Sequence, residues 1–264
     1  FTVDDISATN ATVSNFTSSS TSIYTALISP TTEGEVVLNI AEGIAQDAAN
    51  NGNNAADQFS ITYDSTKPTI TISSTTNDPT NTSFTTTFTF SEDVSGFTID
   101  DIAVTNAGLS NFSSISSSVY TVLVTPTSLG LVTLNIAEGV AQDAANNGNN
   151  AADQFSLSYD NTKPTVQISS TASDPTNSSF TAAFTFSEDV TGFEQGDITL
   201  NNAALSNFTS TSAKVYMVTI TPTSDGTVTI DVGGGVAEDA AGNGNNVADQ
   251  FSITYDSTKP TLAI

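Results

Sequence analysis

The chain of 264 residues is 37% hydrophobic, enough for packed cores, and only 12% charged, with Thr, Ser and Asn carrying most of the polar share, a composition suited to strands and turns. It has no Cys, His, Trp or Arg, and Lys67, Lys163, Lys214 and Lys259 stand against 28 acidic residues for a net charge of −24. That balance excludes nucleic-acid binding, which needs Lys and Arg to displace counterions, removes most catalytic side chains, and favours hard cations with oxygen ligands, Ca²⁺ first.

In chain order, Phe1-Thr2-Val3-Asp4-Asp5-Ile6 opens a pattern that returns as Phe97-Thr98-Ile99-Asp100-Asp101-Ile102 and, more weakly, as Phe193-Glu194-Gln195-Gly196-Asp197-Ile198, at intervals of 96 residues. The stretch AQDAANNGNNAADQFS at 45–60 returns letter for letter at 141–156 and, edited to AEDAAGNGNNVADQFS, at 237–252. Lys67-Pro68-Thr69, Lys163-Pro164-Thr165 and Lys259-Pro260-Thr261 keep the same interval, so a whole domain is duplicated rather than a short solenoid unit. The segment Tyr-Asp-x-Thr-Lys-Pro-Thr is the expected linker, because Pro donates nothing to a strand ladder and biases its predecessor towards extended backbone. The expected units are a partial repeat 1–65 lacking its first strands, repeats 66–161 and 162–257, and the start of another at 258–264. With no leader pattern before Phe1 and no run of 18 apolar residues, the chain reads as a window on a longer array with no membrane-inserted segment.

Within 66–161, alternation of apolar residues predicts strands around Ile70 and Ile72, Phe84 to Phe90, Phe97 and Ile99, Tyr120 to Val124, Val132 to Ile136, and Phe155 to Tyr159. Turn signals separate them at Asn77-Asp78-Pro79-Thr80-Asn81, Ser91-Glu92-Asp93-Val94-Ser95-Gly96 and Thr125-Pro126-Thr127-Ser128-Leu129-Gly130. Counting weaker strands, about seven in a unit of this length predicts an all-β protein, a tandem, elongated array of immunoglobulin-like Greek-key β-sandwiches. The Trp and Cys pair of antibody domains is missing, so Phe and Tyr must fill the centre.

The series Phe-Thr-Phe-Ser-Glu-Asp-Val-x-Gly-Phe, Asp-Ile, Leu-Ser-Asn-Phe, Asp-Ala-Ala-x-Asn-Gly-Asn and Tyr-Asp-x-Thr-Lys-Pro-Thr resembles the tandem bacterial Ig-like repeats of giant surface adhesins, a group that includes biofilm, ice-binding and RTX-type adhesins and Bacteroidetes gliding-motility adhesins. The resemblance covers the whole chain. It implies an exported, extracellular protein of the bacterial cell surface, with neighbouring repeats of the same chain as its first partners.

In an Ig-type sandwich the first strand starts at the end to which the loops after the second and sixth strands return. This places acidic segments together at each junction: Asp64 with Glu92, Asp93 and the loop carrying Glu138 and Asp143, then Asp160 with Glu188, Asp189 and the loop carrying Glu238 and Asp239. Converging carboxylates repel unless a cation neutralises them, so Asp64, Glu92, Asp93, Asp143, Asp160, Glu188, Asp189 and Asp239 are candidate Ca²⁺ ligands. Asp78 and Asp174 are expected at the opposite end, facing the next domain. The plainer reading of the repeated loop is a capped helical turn followed by an Asn-Gly turn, with Asp47 capping backbone N–H groups and no metal. EF-hand geometry is excluded, since Ala49 holds its third position and Gln58 its twelfth. Asp4-Asp5 and Asp100-Asp101, read as strand neighbours, point to opposite faces and cannot act on one bond, which leaves solvation or turn capping. Asp64-Ser65-Thr66 and Asp256-Ser257-Thr258 resemble the O-glycosylation motif of Bacteroidetes, which makes Ser65 and Ser257 candidate glycan acceptors.

These features predict a non-enzymatic structural segment, a stalk that holds an adhesive domain away from the cell. The competing readings are a glycan-binding or protein-binding adhesion module, which needs exposed aromatics, and a non-catalytic spacer in a surface hydrolase.

Overall fold

The computed structural model describes residues 1–264. Residues 1–65 contain β1 (Ile6–Thr9), β2 (Ala11–Ser18), β3 (Tyr24–Pro30), β4 (Gly34–Ile40) and β5 (Phe59–Tyr63). The second repeat has seven strands: β6 (Ile70–Ser73), β7 (Phe84–Phe90), β8 (Ile102–Thr105), β9 (Ala107–Ser114), β10 (Val119–Pro126), β11 (Gly130–Ile136) and β12 (Phe155–Tyr159). The third repeats them as β13 (Val166–Ser170), β14 (Phe180–Phe186), β15 (Ile198–Asn201), β16 (Ala203–Ser212), β17 (Val215–Pro222), β18 (Gly226–Val232) and β19 (Phe251–Tyr255). In the second repeat a four-stranded sheet of order β6-β7-β10-β9 faces a three-stranded sheet of order β12-β11-β8, all pairs antiparallel. This is the strand distribution of a seven-stranded immunoglobulin sandwich, and the third repeat reproduces it.

Strand alternation places the core. On β7 Phe84, Thr86, Phe88 and Phe90 point inward, and on β11 Val132, Leu134 and Ile136 do so. The predicted strand at Phe97 and Ile99 is instead a coil entering a 3₁₀ turn at Ile99–Asp101, where the Asp101 carboxylate accepts the Thr98 N–H at 2.7 Å and its hydroxyl at 2.9 Å. Asp5 does the same for Thr2. The Asp-Asp pairs are therefore turn residues and not strand neighbours, with the second Asp of each acting as a cap. The chain crosses from β8 to β9, hence from one sheet to the other, at Asn106, whose φ of 61° Asn tolerates better than most residues. Its side chain then ties the corner to Thr127 and Ser128 of the facing turn.

Phe97, Phe112 and Tyr120 occupy the centre with ring centroids 5.2 to 5.8 Å apart, and Phe193, Phe208 and Tyr216 repeat the arrangement. Each complete repeat has its own core, of 15 and 17 buried residues, so each satisfies its strand faces independently. The first repeat has the triad Phe1, Phe16 and Tyr24 but no counterpart of β6 and β7 among residues 1–264. Its Ile61 is 58% exposed where the equivalent Leu157 is 2% exposed, and Val36 is its one buried core residue.

Thr86 is fully buried on β7, and its hydroxyl has no hydrogen-bond partner. The third repeat has Ala182 at this position. An unpaired buried hydroxyl costs about 1–3 kcal/mol, so Thr86→Val should raise the urea midpoint of the second repeat by an amount equivalent to about 1 kcal/mol. A lowered midpoint would mean the hydroxyl is paired.

Candidate metal centre at the repeat junctions

The loop between β11 and β12 is built around two side chains. Asp143 accepts the N–H groups of Ala145 and Asn147 on Oδ1, both at 2.8 Å, and the Asn147 amide on Oδ2 at 2.8 Å. Asn149 is fully buried; it accepts the Ala141 N–H at 2.8 Å and donates to the carbonyls of Ala137 and Asn150. Gly148 lies against Gly139, where an added Cβ would sit 3.0 Å from the Gly139 Cα. The third repeat builds the same loop on Asp239, Asn243 and Asn245, and the first on Asp47, Asn51 and Asn53. Asp47 thus caps backbone N–H groups as expected, but the segment forms turns and a short bridge rather than a helical turn.

This loop is tied to the one after β7, since Ser95 and Gln142 exchange backbone hydrogen bonds of 2.8 and 3.0 Å. The incoming linker docks on it through Asn147, whose amide donates to the Asp64 carbonyl at 3.1 Å, and through Asn150, whose N–H donates to the Pro68 carbonyl at 2.8 Å. One carboxylate from each of the three segments meets there: atoms of Asp64, Glu92 and Asp143 lie within 4.8 Å of one another, as do those of Asp160, Glu188 and Asp239. Asp93 and Asp189 are exposed and outside these groups, as are Glu138 and Glu238. At both turns only the first acid of the pair reaches the junction, while the second is exposed.

Asp78 does not face the following repeat. Its carboxylate accepts the Ser158 N–H at 2.9 Å within its own repeat, and Asp174 does so with Thr254. The residue that crosses is Asn81, whose amide donates to the Asn243 Oδ1 at 3.2 Å. The Asp160 N–H donates back to Thr80 and its carbonyl accepts the Asn243 amide, each at 2.9 Å. The linker residue is therefore held by the repeat on either side. Asn81, Asn147 and Asn243 are junction contacts that a search for acidic ligands passes over; the recurring Asn of the repeated loop was the signal for Asn147 and Asn243, and Asn81 had none.

Burial, with the charges of Asp143 and Asp64, pushes the Glu92 carboxyl above its ordinary 4.5. Burial, Asp239 and Asp160 do the same to Glu188, partly countered by Lys214. Burial also pushes Asp143 up, but the Asn147 side chain and the surrounding N–H groups outweigh it and hold the carboxyl below its ordinary value. Ser65 and Ser257, the expected glycan acceptors, are exposed, and their hydroxyls donate to Glu33 and Asp225. The Ser65 hydroxyl and N–H draw the Glu33 carboxyl down, and the Ser257 hydroxyl with that of Thr258 draws Asp225 down. The second linker has Asn161 and Leu129 at these positions, with no hydroxyl and no carboxylate to form such a clasp.

The donor set is all oxygen, and ligands opposed across a Ca²⁺ ion at its usual bond lengths stand about 5 Å apart. The carboxylate groups at both junctions fit that spacing.

Fold and junctions together define a tandem array of immunoglobulin-type sandwiches joined through their loops. The chain belongs to the bacterial Ig-like domain family, whose model matches residues 1–63, 64–159 and 160–255, each later start two residues before the expected unit. No sequence among curated proteins matches the chain. Among solved structures, invasin, a bacterial integrin-binding protein, is 14% identical with a TM-score of 0.37 over 89% of this chain and 48% of its own. InvD of Yersinia pseudotuberculosis is 14% identical with a TM-score of 0.32, over 76% of this chain and 62% of its own. The adhesin InvE of the same organism is 14% identical with a TM-score of 0.25, over 72% and 58%. The chain thus spans about half to three fifths of their lengths. No helix is long and apolar enough to cross a membrane.

A raised folded-state pKa means the folded protein gains stability on protonation, present below the unfolded value and lost as pH rises through the raised one. Glu92→Gln and Glu188→Gln should therefore raise the melting temperature of metal-free protein at neutral pH. The gain should vanish as pH falls below 4.5, where the wild-type carboxyls are neutral too. A gain that persists at the acidic end would show that repulsion is not its source.

Proposed function

We propose that this chain is a non-catalytic stalk segment of a large bacterial surface adhesin, an extracellular spacer whose joints are stiffened by Ca²⁺. The observation that carries this reading is the makeup of the acidic groups: each takes one carboxylate from the linker and two from loops of the following repeat. A cation held there bonds the linker to the next sandwich, so its binding energy acts on the joint. Glu92 and Glu188, pushed towards neutrality, would be drawn into the ionised state by the ion's charge.

A spacer also accounts for the near-identity of successive loops, since length needs the same unit many times, while a receptor site needs one distinctive surface. Each sandwich adds on the order of 40 Å of reach. The aromatic triads are packed inside the repeats, which favours spacing over glycan binding by exposed rings. Ser65 and Ser257 are accessible as glycan acceptors in the linkers, where a sugar would have to displace the clasp to Glu33 or Asp225.

Thermal unfolding of the full chain, first stripped by chelator, tests the metal reading. Millimolar Ca²⁺ should raise the melting temperature by several degrees, as any ligand of the native state alone must. Glu188→Gln should remove the part of the shift that comes from the third repeat, while Asp189→Asn, outside the group, should keep it all. No shift in the wild type, or equal loss in both variants, would remove Ca²⁺ from the junction.

A further inference from the structure

Each copy of the repeated loop contains an Asn-Gly pair, at Asn51-Gly52, Asn147-Gly148 and Asn243-Gly244. Both residues are required by the loop. A Cβ at the glycine would approach the Cα of Gly43, Gly139 or Gly235 to 3.0, 3.0 and 2.9 Å, so no other residue fits without moving backbone. The asparagine must donate an amide N–H to the loop Asp, and at the junctions another to the linker carbonyl.

That dipeptide is chemically labile. The backbone nitrogen of the glycine can attack Cγ of the asparagine, forming an N–Cγ bond as the Cγ–Nδ2 bond breaks. Ammonia leaves with the glycine proton, and water then opens the cyclic imide to aspartate or isoaspartate. Unbranched glycine hinders this attack least. Gln142 and Gly148 face each other across a bridge whose hydrogen bonds join Asp143 to Asn147 and Asn149 to Ala141, so the Gly148 N–H is left unpaired by the backbone and free to react.

We propose that Asn147 and Asn243 are latent deamidation sites held closed by the linker. Asn147 is half-buried, with its amide on both the Asp143 carboxylate and the Asp64 carbonyl. Asn243 is the more restrained, since it is buried and also accepts from Asn81. Rotating the side chain into the attacking geometry requires these bonds to break. Conversion of Asn243 would leave acceptor oxygens where an amide now donates to Asp239 and to the Asp160 carbonyl, both at 2.9 Å. It would add a charge beside the acidic group and open the joint irreversibly. A joint whose linker loosens would thus be marked chemically.

The test is to age the intact chain in mildly alkaline buffer and map deamidation by mass spectrometry. Cleavage after Glu138 and Glu238 gives peptides that separate the two sites. Asn147 should convert about fivefold or more faster than Asn243, as expected when one added hydrogen bond must open first. In urea both should speed up and convert at equal rates. Pro68→Gly, which loosens the first linker, should speed Asn147 and leave Asn243 unchanged; Pro164→Gly should do the reverse. Equal rates at Asn147 and Asn243 in the folded chain would overturn the proposal, as would linker variants that leave their own site unchanged. The wild-type comparison decides the matter even if a variant fails to fold.

Discussion

Each joint depends on one side-chain amide. At the second junction the two N–H groups of Asn243 are divided between Asp239 of its own loop and the carbonyl of Asp160 in the linker, and its oxygen receives Asn81 from the preceding repeat. Aspartate offers no donor, serine only one, and glutamine carries its amide too far from the turn. The bond to Asp239, with its charged acceptor, is worth about 1.5–3 kcal/mol and fixes the loop; the bond to the neutral Asp160 carbonyl is worth about 0.5–1.5 kcal/mol. The second is smaller than burying one core side chain, yet it acts on the relation between two domains and not on either core. The neighbouring glycine follows from the same turn, because its backbone must pass against Gly235.

The amide also sets the electrostatics. By fixing the linker it brings Asp160 to Glu188 and Asp239, and Asp64 to Glu92 and Asp143. Geometry that hydrogen bonds make rigid thus holds charges that repel, and the repulsion falls on Glu92 and Glu188, which are half-buried and accept no hydrogen bond that would hold their charge. Asp143 escapes it because the loop surrounds it with N–H groups. The least satisfied member of each junction is therefore a carboxylate, Glu92 or Glu188.

The repeats divide the work of stability. In the second and third, the inward strand faces meet a partner sheet and the core closes around a Phe-Phe-Tyr triad. In residues 1–65 the triad is present but the inward face of β5 is uncovered, with Phe59 and Ile61 more than half exposed. The repeated loop nevertheless forms in all three, because its hydrogen bonds are local to it. The loop is thus a module of its own, and the linker contact is what the tertiary structure adds to it.

The sequence by itself determined the period of 96 residues, the sandwich and the convergence of acidic segments on the junctions, because duplication and strand alternation are written directly in the order of residue types. It also led to Asp64, Glu92, Asp143 and their counterparts as neighbours, through the return of particular loops to one end of the sandwich. Alternation failed at Phe97 and Ile99, where apolar residues lead into a 3₁₀ turn closed by Asp101. Only the tertiary structure decided which acid of each Glu-Asp pair turns inward, that Asp78 serves its own repeat, and that Asn81 and Asn243 meet across the joint. Those outcomes depend on side-chain direction at contacts up to 162 positions apart, and a local pattern carries no information on where a distant backbone will place its carbonyls.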